Sequence, residues 1–181
     1  MSRIVSSTFV SLDGVINHME EWHFDHIGEE SDEIARDQLG AADAMLMGRR
    51  TYEIYAATWP HRDDPYADAI NAIPKYVAST RLRRADWANT TVLSRDLVEA
   101  AAELKGKHPR GLLMHGYGPV AKTLMRAGLL DELCLWLHPG LAGVGTVDDM
   151  VFSEGLNARL RLMEARTLAS GVVLLRYRPA D

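Results

Sequence analysis

The stretch Ala44-Met45-Leu46-Met47-Gly48-Arg49-Arg50-Thr51-Tyr52-Glu53 decides the fold. Its first four residues are apolar and predict a short buried strand, Gly48 interrupts them, and residues 49–57 favour a helix. The first N–H groups of a helix have no partner within the helix, and the helix dipole adds partial positive charge there. Two arginines add full charges suited to phosphate. We interpret this turn as an anion site for the phosphates of a nucleotide cofactor; an ordinary turn with solvated arginines is the alternative.

The rest of the chain alternates strand and helix signals of the same kind. Strands are predicted at residues 3–11, 74–80, 90–94, 111–115 and 132–138, and helices at 29–39, 66–72, 96–105 and 120–127. Residues 159–164 and 172–177 alternate polar with apolar around Ser170-Gly171, which predicts an antiparallel hairpin. The chain is therefore expected to form one α/β domain over residues 1–181, with a mixed, mainly parallel sheet and helices on both faces.

Composition restricts the class of protein and its partners. The chain has 181 residues and a net charge of -5, without a long basic run, which argues against nucleic acid as the main partner. The single Cys134 lies in an apolar run, so an intrachain disulfide and a cysteine zinc site are excluded and a buried thiol is expected. The N-terminus lacks a secretion signal, and no apolar run reaches membrane-spanning length. A cytoplasmic protein without membrane partners is expected.

Three predicted strand ends share one design. Gly48 with Arg49 follows the first, Ser79-Thr80-Arg81 follows the second, and Gly116-Tyr117-Gly118-Pro119 follows the third. Ligands of such sheets bind beyond the carboxyl ends of the strands. If the three strands are neighbours, two helix starts would hold a pyrophosphate, and the hydroxyls and cations would surround a ribose 2′-phosphate, which favours NADP over NAD. A solvated strand end and a simple helix-entry turn are the alternatives.

The fingerprint Gly-x-Gly-x-x-Gly is missing after the first strand, so a standard Rossmann dehydrogenase is not expected. Four motifs nevertheless occur in a characteristic order and spacing: residues 11–16 (SLDGVI), 46–53 (LMGRRTYE), 116–119 (GYGP), and 127–133 (AGLLDEL) leading into 138–145 (HPGLAGVG). Together they resemble the bacterial bifunctional deaminase-reductase C-terminal family. This family comprises the reductase domain of riboflavin biosynthesis and many stand-alone relatives, and it has the dihydrofolate reductase-like fold.

The resemblance implies a role for each matching residue. Gly48, Arg49, Arg50 and Thr51 match the turn that holds the 2′-phosphate and pyrophosphate of NADP, and Ser79 and Thr80 match the adenosine side. Gly116, Tyr117, Gly118, Pro119 and Val120 match the turn under the pyrophosphate, and Val15 and Ile16 match the loop whose backbone meets the nicotinamide. Tyr117 interrupts the usual adjacent glycines and His115 precedes them, so a narrower pocket is expected. The deaminase domain has no counterpart here, so a stand-alone relative is expected.

The proton donor of a reductase is expected between residues 22 and 33, where the fold has its substrate pocket. Asp25 is the first candidate because flanking aromatic residues would desolvate it, and Glu29 and His26 follow. A role of Asp25 in capping a turn is the alternative. Trp22, Tyr52 and Trp59 are candidates for stacking on a flat heterocyclic substrate, with a place in the core as the alternative for each.

The histidines His18, His23 and His26 raise the question of a metal. His23 and His26 have the i,i+3 spacing of one helical face, but the His-Glu-x-x-His spacing and a clear third ligand are missing. No metal site is predicted.

The leading hypothesis is an NADPH-dependent reductase of a small heterocyclic substrate, similar to 5-amino-6-(5-phosphoribosylamino)uracil reductase or dihydrofolate reductase. The alternatives are a non-catalytic module that binds a nucleotide or flavin with the same fold, and an interaction protein whose phosphate turns are vestigial. The resemblance further suggests a homodimer, and the apolar residues 133–137 are either a sheet interior or a dimer face.

Overall fold

The computed structural model describes residues 2–151 and 156–180. In these residues the strands are β1 (Ile4–Val10), β2 (Ala44–Gly48), β3 (Lys75–Ala78), β4 (Thr90–Leu93), β5 (Leu112–His115), β6 (Glu132–Leu137), β7 (Leu160–Thr167) and β8 (Val173–Pro179). The helices are α1 (Glu29–Gly40), α2 (Arg49–Thr58), α3 (Pro65–Ala72), α4 (Leu97–Lys107) and α5 (Pro119–Arg126). Single 3-10 turns occupy Met19–Glu21, Phe24–His26, Trp59–His61 and Val147–Asp149.

All eight strands form one sheet in the order β4-β3-β2-β5-β1-β6-β8-β7. The neighbours from β4 to β6 run parallel, whereas β8 pairs antiparallel with both β6 and β7. The predicted α/β class, the mainly parallel sheet and the antiparallel C-terminal hairpin are therefore confirmed. The element boundaries differ from the prediction by only a few residues.

The helices cover both faces of the sheet, as predicted. Helices α4 and α5 pack on one face through Leu104 and Leu124, while α1, α2 and α3 pack on the other through residues such as Leu39 and Ile70. The side chains of β2 from Ala44 to Met47 are buried because the strand lies between these two layers. This explains why four successive residues of the strand are apolar rather than alternating.

Strand β6 lies inside the sheet, between β1 and β8, so residues 133–137 form a sheet interior. The Cys134 thiol is buried there, as expected, and burial raises its pKa to about 11. Among the described residues, no helix is long and apolar enough to cross a membrane.

Candidate functional site

The three strand ends singled out in the sequence meet at one edge of the sheet. Strands β3, β2 and β5 are adjacent and parallel, so the turns that follow Ala78, Gly48 and His115 lie side by side. The condition on which the dinucleotide hypothesis depended is therefore met. Because β1 is the next strand along and is also parallel, the loop after Val10 opens at the same edge.

Two of the helices that begin at this edge, α2 and α5, have no side-chain cap among the described residues. The N-cap residues of α2 and α5 are Gly48 and Gly118, neither of which has a side chain, whereas Asp64 and Asp96 accept hydrogen bonds from the first N–H groups of α3 and α4. A Cβ atom at Gly48 would lie 3.2 Å from Val120 Cγ2, so the starts of α2 and α5 pack directly against each other. Two sets of unpaired N–H donors and two helix dipoles are thus adjacent, which suits a pyrophosphate.

The glycine turn before α5 is shaped by strand β1. Gly116 has a φ of +89°, a left-handed conformation that favours glycine. Its N–H donates to the Ser7 carbonyl at 2.8 Å, and its carbonyl accepts a 2.8 Å hydrogen bond from Ser6 Oγ. The Tyr117 side chain is buried in the apolar core under α4 and α5. The narrower pocket expected from Tyr117 and His115 stays a prediction.

The predicted phosphate ligands are accessible to solvent at this edge. Arg49 is half-exposed and lies 3.3 Å from Glu53 Oε1 one turn along α2, an ion pair that is weak in water. Arg50 is 65% exposed, but it does not simply face solvent, because its guanidinium lies 3.5 Å from Asp149 Oδ1. Thr51 is half-buried in the first turn of the same helix.

The second strand end combines a structured turn with exposed polar groups. Ser79 Oγ accepts hydrogen bonds from the N–H groups of Arg81 at 3.1 Å and Leu82 at 2.9 Å. The side chains of Thr80 and Arg81 are exposed. Ser79 thus orders the turn that presents them, a role that the sequence pattern did not reveal.

The loop that was matched to the nicotinamide side packs onto the core. Val15 and Ile16 are buried, Val15 N–H donates to Ser11 Oγ at 2.9 Å, and Ile16 N–H donates to the Asp149 carbonyl at 2.8 Å. Asn17 Nδ2 donates to Asp149 Oδ1 at 2.9 Å. The N–H and hydroxyl of Thr146 also donate to the Asp149 carboxylate, and these two bonds, followed by the bond from Asn17, hold the pKa of this carboxyl below its ordinary value. Asp149 therefore joins this loop to the phosphate turn, and it was missed in the sequence.

A second carboxylate fixes the neighbouring glycine-rich loop. Asp13 accepts hydrogen bonds from Ser11 Oγ at 2.5 Å and from the N–H groups of Ala142 and Gly143 at 2.9 Å each. These donors lower the Asp13 pKa to about 2. The loop that follows β6 is thereby anchored beside the loop that follows β1.

The predicted proton donors lie at the surface. Asp25 is exposed in the Phe24–His26 turn, and Glu29 is exposed as the first residue of α1. The desolvation expected around Asp25 is not found, because Phe24 is itself 61% exposed. Trp22, the other aromatic neighbour, packs against the body of the protein instead of against this carboxylate.

The three predicted substrate aromatics have different surroundings. Trp22 is buried and its Nε1 donates to the Asn17 carbonyl at 2.9 Å. Tyr52 is also buried, and its Oη accepts from Asp86 N–H at 3.0 Å. Trp59 is half-buried, with ring contacts to Tyr55 and Tyr66 at centroid distances of 5.8 and 5.3 Å. Of the three, Trp59 offers the most accessible ring.

The loop histidines pack against a histidine at the end of β6. His138 Nδ1 donates to the Trp136 carbonyl at 2.9 Å, so His138 Nε2 accepts the 2.9 Å hydrogen bond from His23 Nδ1. Both rings are buried, and burial lowers the pKa of His23 to about 4 and also lowers that of His138. His18 lies 3.6 Å from Asp149 instead. Within residues 2–151 and 156–180, no group of three or more His, Cys, Asp or Glu side chains could hold a metal.

A hydrogen-bonded pair of side chains, Tyr55 and His115, also lies at this edge of the sheet and was not predicted. Tyr55 Oη, on α2, is 2.8 Å from His115 Nδ1, directly before the glycine turn. Burial lowers the His115 pKa to about 4 and raises the pKa of the Tyr55 phenol, so both groups are uncharged at neutral pH. The sequence had drawn attention to His115 only as a departure from the usual glycines.

The sheet order, the antiparallel end and the paired strand–helix turns define a dihydrofolate reductase-like fold. A putative riboflavin biosynthesis protein from Shewanella sp. PV-4 superposes with a TM-score of 0.80 at 20% identity, covering 100% of both chains. Dihydrofolate reductase from Enterococcus faecalis, solved in complex with NADP(H) and RAB-propyl, superposes with a TM-score of 0.63 at 14% identity, covering 99% of this chain and 97% of that one.

The chain belongs to the RibD C-terminal domain family, whose profile matches residues 2–174. It is 26% identical over 181 residues to the uncharacterized protein YyaP of Bacillus subtilis strain 168. The alignment covers 97% of this chain and 94% of that protein. The family resemblance drawn from the four motifs is confirmed.

Proposed function

We propose that the protein is an NADPH-dependent reductase of a small heterocyclic substrate. The family and the reductase-type fold support this class of activity. The observation that carries the proposal is the pair of adjacent helix starts at Gly48 and Gly118, whose N–H donors are not capped by a side chain in the part of the protein that the structure describes. Arginines and hydroxyls surround this pair on two neighbouring strand ends, which is the chemistry that a dinucleotide with an extra phosphate requires.

Each group of residues at this edge of the sheet would bind one part of NADP. The N–H groups at the starts of α2 and α5 would hold the pyrophosphate, with Thr51 and the turn from Gly116 to Val120 around it. Arg49 would bind the 2′-phosphate together with Ser79, Thr80 and Arg81. The backbone of Val15 and Ile16 would contact the nicotinamide. When bound, the cofactor supplies the hydride, and the protein supplies orientation and exclusion of water.

The substrate would lie beside the nicotinamide, against the side of the sheet that carries Trp59. Asp25 is our first candidate for the proton donor, followed by Glu29 and His26. Because Asp25 and Glu29 are in water in the free protein, this part of the proposal requires that the bound cofactor and substrate cover them. An Asp25→Asn variant that reduces substrate at the original rate would contradict the assignment.

Titration with NADPH and NADH, followed by fluorescence, tests the cofactor assignment. We expect NADPH to bind more tightly, and Arg49→Ala to weaken NADPH by about ten- to hundredfold while leaving NADH unchanged, since a charged hydrogen bond contributes about 1.5–3 kcal/mol. Arg36→Ala, an exposed arginine on α1, is the matched control. Absence of binding by either nucleotide would refute the proposal.

A second experiment separates an enzyme from a binding module. Oxidation of NADPH, followed by its absorbance in the presence of a reducible pterin or a ribosylaminopyrimidine, is expected only of an enzyme. Tight NADPH binding without oxidation by either class of compound would favour the nucleotide-binding module.

We also propose that the protein is a cytoplasmic homodimer. Strand β7 lies at the edge of the sheet, where its backbone is open to another chain, and it exposes the apolar side chains of Leu162 and Met163. A second copy would cover these groups.

A further inference from the structure

The apolar packing on the face covered by α1, α2 and α3 is split in two. One cluster contains Met47 and Leu113 and lies under α2 and α3, while the other contains Trp136 and Leu174 and lies near α1. The split falls on β1, where the polar Ser7 is in register with His115 of β5 on one side. The imidazole of His115 is therefore a polar group beside the boundary between the two apolar clusters, at the edge of the sheet that carries the proposed site.

The His115 ring is held on one side and free on the other. Its Nδ1 is bonded to Tyr55 Oη at 2.8 Å, and within the described residues its Nε2 has no hydrogen-bond partner. His115 is only partly buried, and its Nε2 is not among the fully buried, unpartnered side-chain nitrogens of the described residues, so a ligand can reach it. An imidazole with one fixed nitrogen and one free nitrogen is preorganised for a directional hydrogen bond.

Aromatic rings flank the pair of Tyr55 and His115. Tyr55 packs edge-on against Trp59 and Trp87, with centroid distances of 5.8 and 6.4 Å. Nearby cations are engaged elsewhere: Arg62 lies over the Trp59 ring, and the Lys75 ammonium, over the Trp87 ring, donates to three backbone carbonyls. Neither His115 nor Tyr55 takes part in an ion pair among the described residues. A charged group placed beside His115 would therefore meet only cations that already have partners, and no carboxylate paired with His115 or Tyr55, within the part of the chain that the structure describes.

The position of His115 links this pair to the proposed reaction. His115 directly precedes Gly116, whose N–H and carbonyl are fixed to β1 in the turn assigned to the dinucleotide. A substrate beside the nicotinamide would therefore meet Nε2 at the base of the site and the aromatic rings at its side.

We propose that His115 is a specificity-determining residue that binds the substrate through Nε2, with Tyr55 as the positioning residue that orients its ring. This inference rests on the proposed reductase function. It also defines the substrate class: an uncharged, flat heterocycle that carries a ring nitrogen, amide or carbonyl at the bound edge.

Two matched substitutions distinguish this role from a structural one. The amide of His115→Asn occupies the position of Nδ1, so it keeps the Tyr55 contact and loses Nε2. The longer His115→Gln carries its amide near the position of Nε2 and loses the Tyr55 contact. We expect His115→Asn to raise the KM for a reducible pterin roughly tenfold, which corresponds to the loss of one hydrogen bond. His115→Gln should raise this KM less. Tyr55→Phe should raise KM with little change in the NADPH Kd.

The opposite ranking, with Asn equal to the wild type and Gln impaired, would indicate a structural role and overturn the proposal. His61→Asn, an exposed histidine after α2, is the control and should leave KM unchanged.

A nuclear magnetic resonance experiment tests the contact without turnover, by following the imidazole nitrogen signals of the 15N-labelled protein. The uncharged probe is 7,8-dihydrobiopterin, and the anionic probe is a ribosylaminopyrimidine 5′-phosphate. We expect the pterin to shift the His115 Nε2 signal and the anionic probe to shift it less. An unchanged Nε2 signal with both probes, or a larger shift with the anionic probe, would overturn the inference even if NADPH binds. If neither nicotinamide nucleotide binds, the reductase proposal fails, while the pterin shift still reports on His115.

Discussion

The Arg50 guanidinium lies 3.5 Å from Asp149 Oδ1, the same carboxylate oxygen that accepts a hydrogen bond from Asn17 Nδ2. Arg50 belongs to the first turn of α2, whereas Asn17 follows the loop assigned to the nicotinamide. Asp149 Oδ2 also accepts from the N–H and hydroxyl of Thr146. One buried carboxylate therefore connects the two ends of the proposed cofactor site.

Asp149→Asn tests this connection. We expect it to weaken NADPH binding several-fold and to destabilise the protein by about 2 kcal/mol, because a buried acceptor of charged and neutral donors is weakened. The melting temperature should fall by roughly 4–8 °C. Thermal denaturation and NADPH titration measure the two effects. Asp148→Asn is the matched control, since Asp148 is adjacent and exposed; equal effects of the two variants would contradict a special role of Asp149.

Gly48→Ala tests the contact between the two helix starts. The backbone of Gly48 is in an ordinary extended conformation with a φ of −83°, so alanine adds no backbone strain. Its Cβ would meet Val120 Cγ2 at 3.2 Å, and the helices must separate by a few tenths of an ångström. We expect NADPH binding to weaken about three- to tenfold and Val120→Ala to restore it in the double variant. A double-mutant cycle on the NADPH Kd measures this coupling, and additive effects would argue against it.

The sequence predicted the parts of the site that depend on local patterns. Four apolar residues followed by Gly48 indicate a buried strand that enters a helix, and the repetition of this pattern at Gly116 indicates a second one. Both follow from backbone geometry and helix electrostatics. The adjacency of β3, β2 and β5 was a condition of the hypothesis, and the observed sheet order satisfies it.

The parts that depend on distant contacts could not be predicted. His23 and His138 are 115 residues apart, and Tyr55 and His115 are 60 apart, so no local spacing reveals either pair. Asp149 is one of two adjacent aspartates in a polar loop, and only folding buries it. Asp25 illustrates the reverse error: its aromatic neighbours in sequence do not desolvate it, because Trp22 packs inward and Phe24 projects into solvent.

Leu162→Lys tests the proposed homodimer. Leu162 is 49% exposed on β7, the edge strand, and a charge there would oppose pairing with a second copy. We expect the variant to be monomeric by light scattering after size exclusion, with its melting temperature measured alongside. Ile54→Lys is the control because Ile54 is a similarly exposed aliphatic residue on α2. A wild-type protein that is monomeric at micromolar concentration would exclude the dimer.

The buried pair of His23 and His138 predicts how stability depends on pH. An unfolded histidine binds its proton near the ordinary pKa of 6.5, whereas burial lowers the pKa of folded His23 to about 4. The unfolded state therefore binds more protons between these values, so stability is fully present above about pH 6.5 and is lost as the pH falls toward 4. His115, whose pKa is also lowered to about 4, and His138 contribute in the same direction.

His23→Asn tests this dependence because an amide at the Nδ1 position keeps the hydrogen bond to His138 and removes the ionisable group. Each such histidine contributes at most about 1.4 kcal/mol per pH unit inside the window. Urea unfolding from pH 4.5 to 8 should therefore give a shallower loss of stability for the variant than for the wild type, with similar values above pH 7. His61→Asn, which replaces an exposed histidine, should keep the wild-type slope. An unchanged slope in His23→Asn would mean that His23 is protonated in the folded protein as readily as in the unfolded chain.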